Sequence, residues 1–321
     1  MTARYATQMA LTEISAEGQA RLRGARVLVV GAGGLGCAVL PALAGAGIGQ
    51  LTVIDPDRIE LQNLHRQTLY READVGQAKA TTAAQALRLL NGEVAICPLV
   101  AAVDPASAPA LIEAADVVVD AADSFAVTYT LSDHCRVANK PLISASVLGF
   151  AGYVGGFCAQ APSYRAVFPD LPQAARNCAT AGTVGPAVGV LGMMQAQMVL
   201  AQILGLTPSP LGQLISVDLI RYRFSGFSFL GAEEPENSVP FIGLAQIREG
   251  DTVIDLRPAT EAPIPATHTA LRLTVEDLAA FAPSGTVRVV LCCRSGLRAW
   301  RGAQVLVGSG HSDLALLALG G

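Results

Sequence analysis

The stretch that decides the fold spans residues 27–55 and reads VLVVGAGGLGCAVLPALAGAGIGQLTVID. A short apolar run at 27–30 is followed by a glycine-rich segment, an Ala/Leu-rich helical pattern and a second apolar run that ends at Asp55. This order predicts strand, turn, helix and strand, which is one unit of a parallel sheet with a ligand crevice at the turn. The candidate phosphate-binding glycines, which let a backbone approach an anion at a helix start, are Gly31, Gly33, Gly34 and Gly36. The stretch predicts a nucleotide-binding fold and leaves the nucleotide open.

Length and composition narrow the class of protein. The 321 residues suffice for a full α/β domain and a smaller second one. A net charge of −4 without any run of lysines or arginines argues against nucleic acid as the main partner. Seven cysteines without a C-x-x-C pair indicate neither a disulfide framework nor a zinc site, and they fit free thiols in a reducing compartment.

Two long apolar runs, 27–54 and 184–206, resemble membrane spans by hydropathy alone. Glycines and a proline interrupt the first and glutamines interrupt the second, so we interpret both as buried core elements. No signal-peptide pattern opens the chain. We therefore expect a cytoplasmic protein without a membrane partner.

Strand and helix patterns alternate through the first two thirds of the chain. The predicted strands are 27–30, 51–55, 94–99, 116–119 and 142–147, and the predicted helices are 34–46, 77–90, 107–114 and 125–138. This alternation predicts a doubly wound, Rossmann-like, mostly parallel sheet. Segments 151–158 and 212–229 predict antiparallel strands added at one end, with a loop of roughly 25 residues and a long helix between them.

The acidic, proline-containing segment 232–240 (AEEPENSVP) is interpreted as a linker between a first domain, 1–231, and a second domain, 241–321. After it the alternation restarts, with strands predicted at 252–256 and 286–292 and helices at 275–281 and 298–307. The second domain is therefore expected to be a small α/β unit.

Charged residues after the second strand distinguish between nucleotides. Asp55 is placed to hydrogen-bond a ribose hydroxyl, which suits NAD and ATP equally. Arg66 and Lys79 favour a nucleoside triphosphate, because its cleavage develops negative charge that cations stabilise. Lys79 is one of two lysines in the chain. The alternative is a solvated Arg and Lys on a helix face.

Asp123 follows the strand predicted at 116–119, at the sheet edge where ligands bind in such folds. Its carboxylate is a candidate ligand for Mg²⁺, which prefers one or two carboxylates together with phosphate oxygens. The alternative is that Asp123 or Ser124 caps the helix predicted at 125–138.

Residues 4–230 resemble the ThiF/MoeB/HesA group of adenylating enzymes, relatives of ubiquitin-activating enzymes. Besides the opening stretch, the matching segments are RYATQMAL, NLHRQTLY, VGQAKA, KPLISASVLGFAGYVGGF and CATAGTVGPAVGVLG. These enzymes use ATP and Mg²⁺ to adenylate the C-terminal Gly-Gly of a small ubiquitin-like sulfur carrier protein. The resemblance also implies a homodimer and a sulfur donor such as a cysteine desulfurase.

The resemblance assigns roles to individual residues. It implies that ATP is surrounded by the four glycines and by Asp55, Asn63, Arg66, Gln67, Lys79 and Asp123. It also implies that Cys178 lies on a mobile crossover loop, where a thiolate suits capture of an acyl adenylate. The alternative for Cys178 is a small buried side chain.

The sequence departs from this group at several positions. Thr7 and Thr128 stand where the group carries arginines, and Ser124 stands where it carries asparagine. Loss of an arginine removes phosphate stabilisation, so that Arg4 or another cation substitutes or adenylation is slow. Segment 163–166 (SYRA) replaces the first zinc-binding C-x-x-C pair and no second pair follows, so we predict no zinc.

The second domain contains an apolar strand that runs into the loop CRSGLR at a helix start. Such a loop points several backbone N–H groups at one sulfur and stabilises a thiolate or persulfide. It resembles the active loop of rhodanese-type sulfurtransferases, with Cys293 as the persulfide carrier and Cys292 as the last strand residue. The predicted persulfide loop comprises Cys293, Arg294, Ser295, Gly296, Leu297 and Arg298. The alternative is an inactive remnant.

Together these features predict an adenylyltransferase fused to a sulfurtransferase, which converts the carrier terminus to a thiocarboxylate. The pathway stays open among molybdopterin, thiamine, tRNA thiolation and cysteine synthesis. One alternative is a sulfur-handling or binding scaffold with weak or no adenylation, which Thr7, Ser124 and Thr128 favour. An NAD-linked oxidoreductase is disfavoured by Arg66 and Lys79.

Overall fold

The structure is a computed structural model that describes residues 3–171, 182–281 and 287–320. These residues form an eight-stranded sheet and a separate four-stranded sheet. Both sheets are built mainly from parallel strands with helices between them, which confirms the predicted α/β class.

The large sheet has the strand order β3-β2-β1-β4-β5-β6-β7-β8. Its parallel strands are β1 Arg26–Val30, β2 Gln50–Ile54, β3 Ala95–Leu99, β4 Val117–Asp120 and β5 Leu142–Leu148, and its antiparallel strands are β6 Ala151–Phe157, β7 Gln213–Asp218 and β8 Arg223–Ser228. The order reverses between β1 and β4, and a crevice for ligands opens at such a reversal, at the carboxyl ends of the strands.

Both faces of the large sheet are apolar, so helices cover both. Successive side chains of β1 point to opposite faces. Val27 and Val29 belong to one apolar cluster, and Leu28 and Val30 belong to the other. The α-helices of this part are α1 Ala6–Met9, α2 Ser15–Gly24, α3 Gly34–Ala46, α4 Lys79–Leu90, α5 Ala108–Glu113, α6 Phe125–Val137, α7 Tyr164–Val167 and α8 Gly185–Leu204. The predicted elements of the first domain appear with ends shifted by one or two residues.

Helix α8 is long and apolar enough to cross a membrane by length and composition. It packs against α3, β5 and β6, and its residues Leu191, Ala196 and Val199 are buried in the first apolar cluster. This placement is that of a core helix, as predicted from the glutamines that interrupt its apolar run.

The small sheet is parallel throughout and has the order β10-β9-β11-β12. Its strands are β9 Thr252–Asp255, β10 Leu271–Arg272, β11 Val289–Cys293 and β12 Leu314–Ala318, and helix α9 Leu297–Gly308 packs against β11 and β12.

Two predictions for the small domain were wrong. The helix predicted at 275–281 is a single 3₁₀ turn, Asp277–Ala280, and the Phe281 N–H accordingly bonds the Leu278 carbonyl three residues earlier. Strand β11 continues to Cys293, so Cys292 is not its last residue. The extra residue is held by the Leu319 N–H, which bonds the Cys293 carbonyl.

The segment between the two sheets is attached to both. The carboxylate of Glu234 accepts hydrogen bonds from the Ser163 N–H and hydroxyl, at 2.7 and 2.6 Å. The Pro240 carbonyl accepts the Leu316 N–H of β12 at 2.8 Å. Phe241 is buried, and its ring centroid lies 6.5 Å from that of Tyr129.

Candidate active site

A cavity of about 1240 Å³ opens at the carboxyl ends of β1, β2, β4 and β5 and extends along β6 towards the β7–β8 hairpin. This volume exceeds the usual range of small-molecule sites, about 300–1,000 Å³. The cavity therefore has room for a nucleotide at the reversal point and for a second group in the extension.

The glycine turn forms one wall of this cavity through Gly31, Gly33 and Gly34. Gly31 has φ of 100°, and a Cβ there would lie 2.6 Å from the Ala121 carbonyl oxygen. Only glycine fits that position without strain. Gly36 is not among the described residues that line the cavity. A Cβ on Gly36 would lie 2.2 Å from the Gly31 carbonyl oxygen, so glycine here permits close contact between helix and turn.

Asp55 ties the glycine turn to the end of β2. One carboxylate oxygen accepts the Ala32 N–H at 2.7 Å and the other accepts the Asp57 N–H at 2.8 Å. Burial raises the pKa of this carboxyl. The sequence predicted a ribose contact, and a carboxylate retains lone pairs for one. The positioning of the turn was not predicted.

Arg66 and Lys79, predicted to contact phosphates, both line the cavity. The Lys79 ammonium lies 2.7 Å from the Asp57 carboxylate, and the Lys79 side chain is only 6% exposed. A solvated lysine on a helix face is thereby excluded. The Arg66 guanidinium donates to the Asn63 side-chain oxygen at 2.9 Å, which aligns both residues on the same wall.

Gln67 lies in the cavity wall with its side chain buried. Its side-chain oxygen has no hydrogen-bond partner among the described residues. Buried polar atoms are rarely left unpaired in folded proteins, so this oxygen fits a ligand that brings a donor. Gln67 was predicted from the resemblance alone.

Asp123 also lines the cavity, lies in the turn between β4 and α6, and is exposed. Ser124 is the N-cap of α6, and no side chain makes a capping hydrogen bond there among the described residues. The capping alternative for Asp123 and Ser124 is therefore not realised. Beneath the turn, Thr128 donates to the buried Asp120 carboxylate at 2.7 Å.

An aromatic wall lines the cavity extension. Tyr153 stacks on Phe168 with ring centroids 5.1 Å apart, and Tyr164 lies 4.7 Å from the same ring. The two tyrosine hydroxyls are hydrogen-bonded to each other. Sequence reasoning missed this wall, and the only signal for it was the four-residue spacing of Tyr164 and Phe168.

Cys178 lies outside the described residues. Thr183, which follows it by five positions, is described and lines the cavity, and its hydroxyl donates to the Gly149 carbonyl at 3.3 Å. The first residues described after this gap therefore lie at the cavity wall, just before α8 begins.

The ThiF family matches residues 5–239 of this chain, which include every described residue of the cavity. The chain belongs to the ThiF family. Its fold is also that of a solved structure of Escherichia coli MccB, with a TM-score of 0.64 and 24% identity over 74% of each chain. A structure of the same protein with ATP gives a TM-score of 0.59 over 68% of this chain and 66% of MccB, again at 24% identity.

Curated relatives match about two thirds of the chain. The adenylyltransferase and sulfurtransferase MOCS3 of Bos taurus is 45% identical over 229 residues, which are 69% of this chain and 49% of MOCS3. The chain thus spans about half the length of the MOCS3 relatives that it matches. The SAMP-activating enzyme E1 of Haloferax volcanii is 37% identical over 223 residues, which are 69% of this chain and 83% of that enzyme.

Beyond the ThiF match, the small sheet presents Cys293 at a helix start. Its sulfur accepts the Gly296 N–H at 3.1 Å and the Ala299 N–H at 3.4 Å. Cys292 faces the other side of β11, where its thiol donates to the Ile254 carbonyl and burial raises its pKa to about 12. Of these two cysteines, Cys293 is the one enclosed by backbone donors, as the sequence predicted.

The Cys293 loop is closed over by its neighbours. Cys293 is fully buried, and a Cβ on Gly296 would lie 2.6 Å from the Phe241 ring. Arg298 donates to the Leu256 carbonyl at 3.1 Å and to Glu261 at 2.6 Å, and Arg294 is exposed. Hydrogen bonding to Glu261, with a smaller contribution from the Cys293 sulfur, raises the pKa of Arg298, so Arg298 does interact with that sulfur whereas Arg294 is exposed.

Proposed function

We propose that this chain uses ATP to adenylate the C-terminal Gly-Gly of a small ubiquitin-like carrier protein and then directs sulfur to the activated carboxyl. The observation that carries this proposal is one cavity that joins a glycine turn, two cations and a carboxylate to an aromatic extension. The described residues fit a nucleoside triphosphate at the turn and an extended peptide end beyond it.

The fit to ATP rests on the chemistry of the donor set. Helix α3 begins at the glycine turn, and the free N–H groups of a first helical turn favour phosphate oxygens. Arg66 and Lys79 supply positive charge, and the unpaired Gln67 oxygen accepts a hydrogen bond from a ligand. Asp123 would hold Mg²⁺, which neutralises phosphate charge when it is bound.

The adenylation step is an attack of a carrier carboxylate oxygen on the α-phosphorus of ATP. A new P–O bond forms, the bond to the β-phosphate oxygen breaks, and pyrophosphate leaves with its electron pair. Arg66 and Lys79 stabilise the charge that develops on the leaving oxygens. Preorganised electrostatic stabilisation of this kind is usually the largest single contribution to catalysis.

The sulfur step begins from a persulfide on Cys293. Its terminal sulfur attacks the acyl adenylate, or a thioester already formed with Cys178, and AMP or the Cys178 thiolate leaves. A second thiolate then attacks the Cys293 sulfur, so that a new disulfide to Cys293 forms as the S–S bond to the carrier breaks, and the carrier thiocarboxylate leaves with the electron pair. Two backbone N–H groups on the Cys293 sulfur support a sulfur anion at this position.

The experiment that tests this function is carrier-dependent exchange of pyrophosphate into ATP, measured with a panel of Gly-Gly-ended carriers. Carrier mass is then followed with Cys178→Ser and Cys293→Ser separately in the presence of a persulfide donor. We expect exchange by both variants and loss of the thiocarboxylate with Cys293→Ser. Exchange with none of the carriers would reject adenylation, and an unchanged thiocarboxylate yield in both variants would reject the relay.

Finer features of the proposal rest on the same resemblance. We propose a cytoplasmic homodimer that receives sulfur from a cysteine desulfurase and contains no zinc, with residues 1–231 and 241–321 as its two domains. Candidate pathways for the carrier include molybdopterin and thiamine synthesis. Sedimentation velocity tests the dimer, and metal analysis of the purified protein tests for zinc.

A further inference from the structure

A buried carboxylate lies directly beneath the cavity. Asp120 ends β4 and is 1% exposed. One of its carboxylate oxygens accepts hydrogen bonds from the Thr128 hydroxyl at 2.7 Å and from the Ser144 hydroxyl at 2.8 Å. Thr128 and Ser144 belong to α6 and β5 and both line the cavity, so three neighbouring elements meet at this oxygen.

The remaining acceptors of Asp120 hold the adjoining backbone. The second carboxylate oxygen accepts the Ala122 N–H at 3.2 Å, which shapes the turn that leads to Asp123. The Asp120 carbonyl accepts the buried Gln195 amide of α8 at 2.6 Å, and the same amide group donates to the Ile143 carbonyl of β5 at 3.0 Å.

Hydroxyl groups take the place of a counter-ion at this carboxylate. No ion pair among the described residues includes Asp120. A buried charge ordinarily needs a cation or several hydrogen bonds, and here hydrogen bonds meet that need. Burial raises the pKa of Asp120 to about 6, and the Thr128 and Ser144 hydrogen bonds act in the opposite direction. The two hydroxyls therefore decide how firmly the turn is held.

We propose that Asp120, held by the Thr128 and Ser144 hydroxyls, is a positioning residue that fixes the turn so that Asp123 faces the nucleotide. The inference rests on the proposed function, because it assigns Asp123 to Mg²⁺-bound ATP. Thr128 links the turn to the first residues of α6, where its own N–H bonds the Ser124 carbonyl. Loss of its hydroxyl loosens the turn while the apolar contacts of the side chain remain.

The test is binding of ATP to the full chain by titration calorimetry, with Mg²⁺ and with EDTA. Thr128→Val and Ser144→Ala each remove one donor to a charged acceptor, and we expect each to weaken binding of ATP–Mg²⁺ by about tenfold or more. Binding in EDTA should change much less, and Thr128→Ser, which retains the hydroxyl, should bind like the wild type.

Thr82→Val is the matched control. Thr82 is buried on α4, and its hydroxyl bonds only the Ala78 carbonyl of its own helix among the described residues. This variant removes a hydroxyl without reaching Asp120, so affinity should stay at the wild-type value. Melting temperatures of all variants without ligand identify any that are unfolded, and Ser144→Ala carries the test if Thr128→Val is one of them.

A double-variant comparison distinguishes positioning of Asp123 from a general loosening. If Asp120 acts through Asp123, Thr128→Val has no further effect on affinity in an Asp123→Asn background. Equal losses in both backgrounds, or equal losses with Mg²⁺ and with EDTA, would overturn the inference and leave the proposed function intact. A wild-type chain that fails to bind ATP at all would instead overturn the proposed function, and this inference with it.

Discussion

The glycine turn of the large sheet and the Cys293 loop of the small sheet have the same strand–turn–helix construction, but the first borders an open cavity and the second encloses a sulfur. In each, a buried parallel strand runs through a left-handed glycine into a helix, with φ of 100° at Gly31 and 86° at Gly296. The first turn forms a wall of a cavity of about 1240 Å³. The second folds its amides onto the sulfur of Cys293 and is covered by Phe241.

The difference lies in what surrounds each turn. Gly31 abuts the backbone at Ala121. The start of α3 beside it faces the cavity, at the reversal of strand order. Gly296 abuts an aromatic ring, and the Cys293 sulfur that its loop surrounds is fully buried. The same strand–turn–helix unit thus suits either a polyphosphate or a single sulfur anion, depending on its neighbours.

Removal of the cover should have the largest effect. Phe241→Ala deletes a buried ring that contacts Gly296 and approaches Tyr129, and loss of a buried phenylalanine costs about 3–5 kcal/mol. Urea unfolding measures that loss. Alkylation by iodoacetamide should become faster at Cys293, with the exposed Cys97 as the internal reference. A folded variant whose Cys293 reacts no faster than in the wild type would show that Phe241 is not the cover.

Removal of a cation from the open site comes next. Lys79→Ala should lower pyrophosphate exchange by about 10²-fold or more, because a buried ammonium is lost from the wall where charge develops. Lys140→Ala is the matched control, since the chain's other lysine bonds the Glu113 and Ala115 carbonyls away from the cavity. Equal losses in both variants would argue against a phosphate role for Lys79.

A side chain on the closed turn should have an intermediate effect. Gly296→Ala forces an L-residue into a left-handed conformation and into contact with Phe241, so we expect about 1–3 kcal/mol of destabilisation or more in urea unfolding. Gly76→Ala has a similar φ of 88°, with no described atom within 4 Å of the added Cβ, and serves as the strain-only control. Equal destabilisation of both would mean that Phe241 yields freely.

The smallest effect expected is a pH dependence of stability that differs in sign between Asp120 of the large sheet and the pair Asp251 and Asp255 of the small domain. Burial acts to raise the pKa of Asp251 and Asp255, but hydrogen bonds from Arg288 and Arg257 outweigh it and leave both pKa values below the ordinary range. Stability from these carboxylates is present above about pH 4 and is lost as pH falls through their folded pKa values.

In the large sheet the pKa of Asp120 is raised to about 6, so the folded state there binds the extra proton and gains stability as pH falls from about 6 to 4. Fluorescence of the single tryptophan, Trp300 on α9, reports unfolding of the small sheet. Hydrogen exchange of β4 peptides reports the large sheet. Parallel trends in both probes between pH 6 and 3 would contradict the assignment.

Most of the large sheet was predictable because its signals are local. β-branched runs bounded by glycines predict strands, and the glycine turn predicts a ligand edge, so Arg66, Lys79 and Asp123 were chosen as residues at that edge. The structure places all three on one cavity, although they are far apart in the chain. The burial of Lys79 against Asp57 was not predictable, since exposure depends on what lies above a side chain.

The errors have physical causes of the same kind. An apolar spacing at 275–281 predicts a helix, yet so short a segment gains few helical hydrogen bonds against the cost of nucleation, and only the 3₁₀ turn Asp277–Ala280 forms. The glycine pattern did not predict the close contact between helix and turn at Gly36, which the 2.2 Å from an added Cβ to the Gly31 carbonyl oxygen reveals.

The sequence by itself determined the α/β alternation and the glycine turn at the sheet edge, because each depends on residues adjacent in the chain. The choice of Cys293 over Cys292 came from the resemblance to rhodanese-type loops. Tertiary structure decided the aromatic wall, the cover over the Cys293 loop and the hydroxyls that hold Asp120. These join Tyr153 to Phe168, Phe241 to Gly296 and Ser144 to Asp120. Contacts between distant segments depend on how helices and strands pack, which local patterns do not specify.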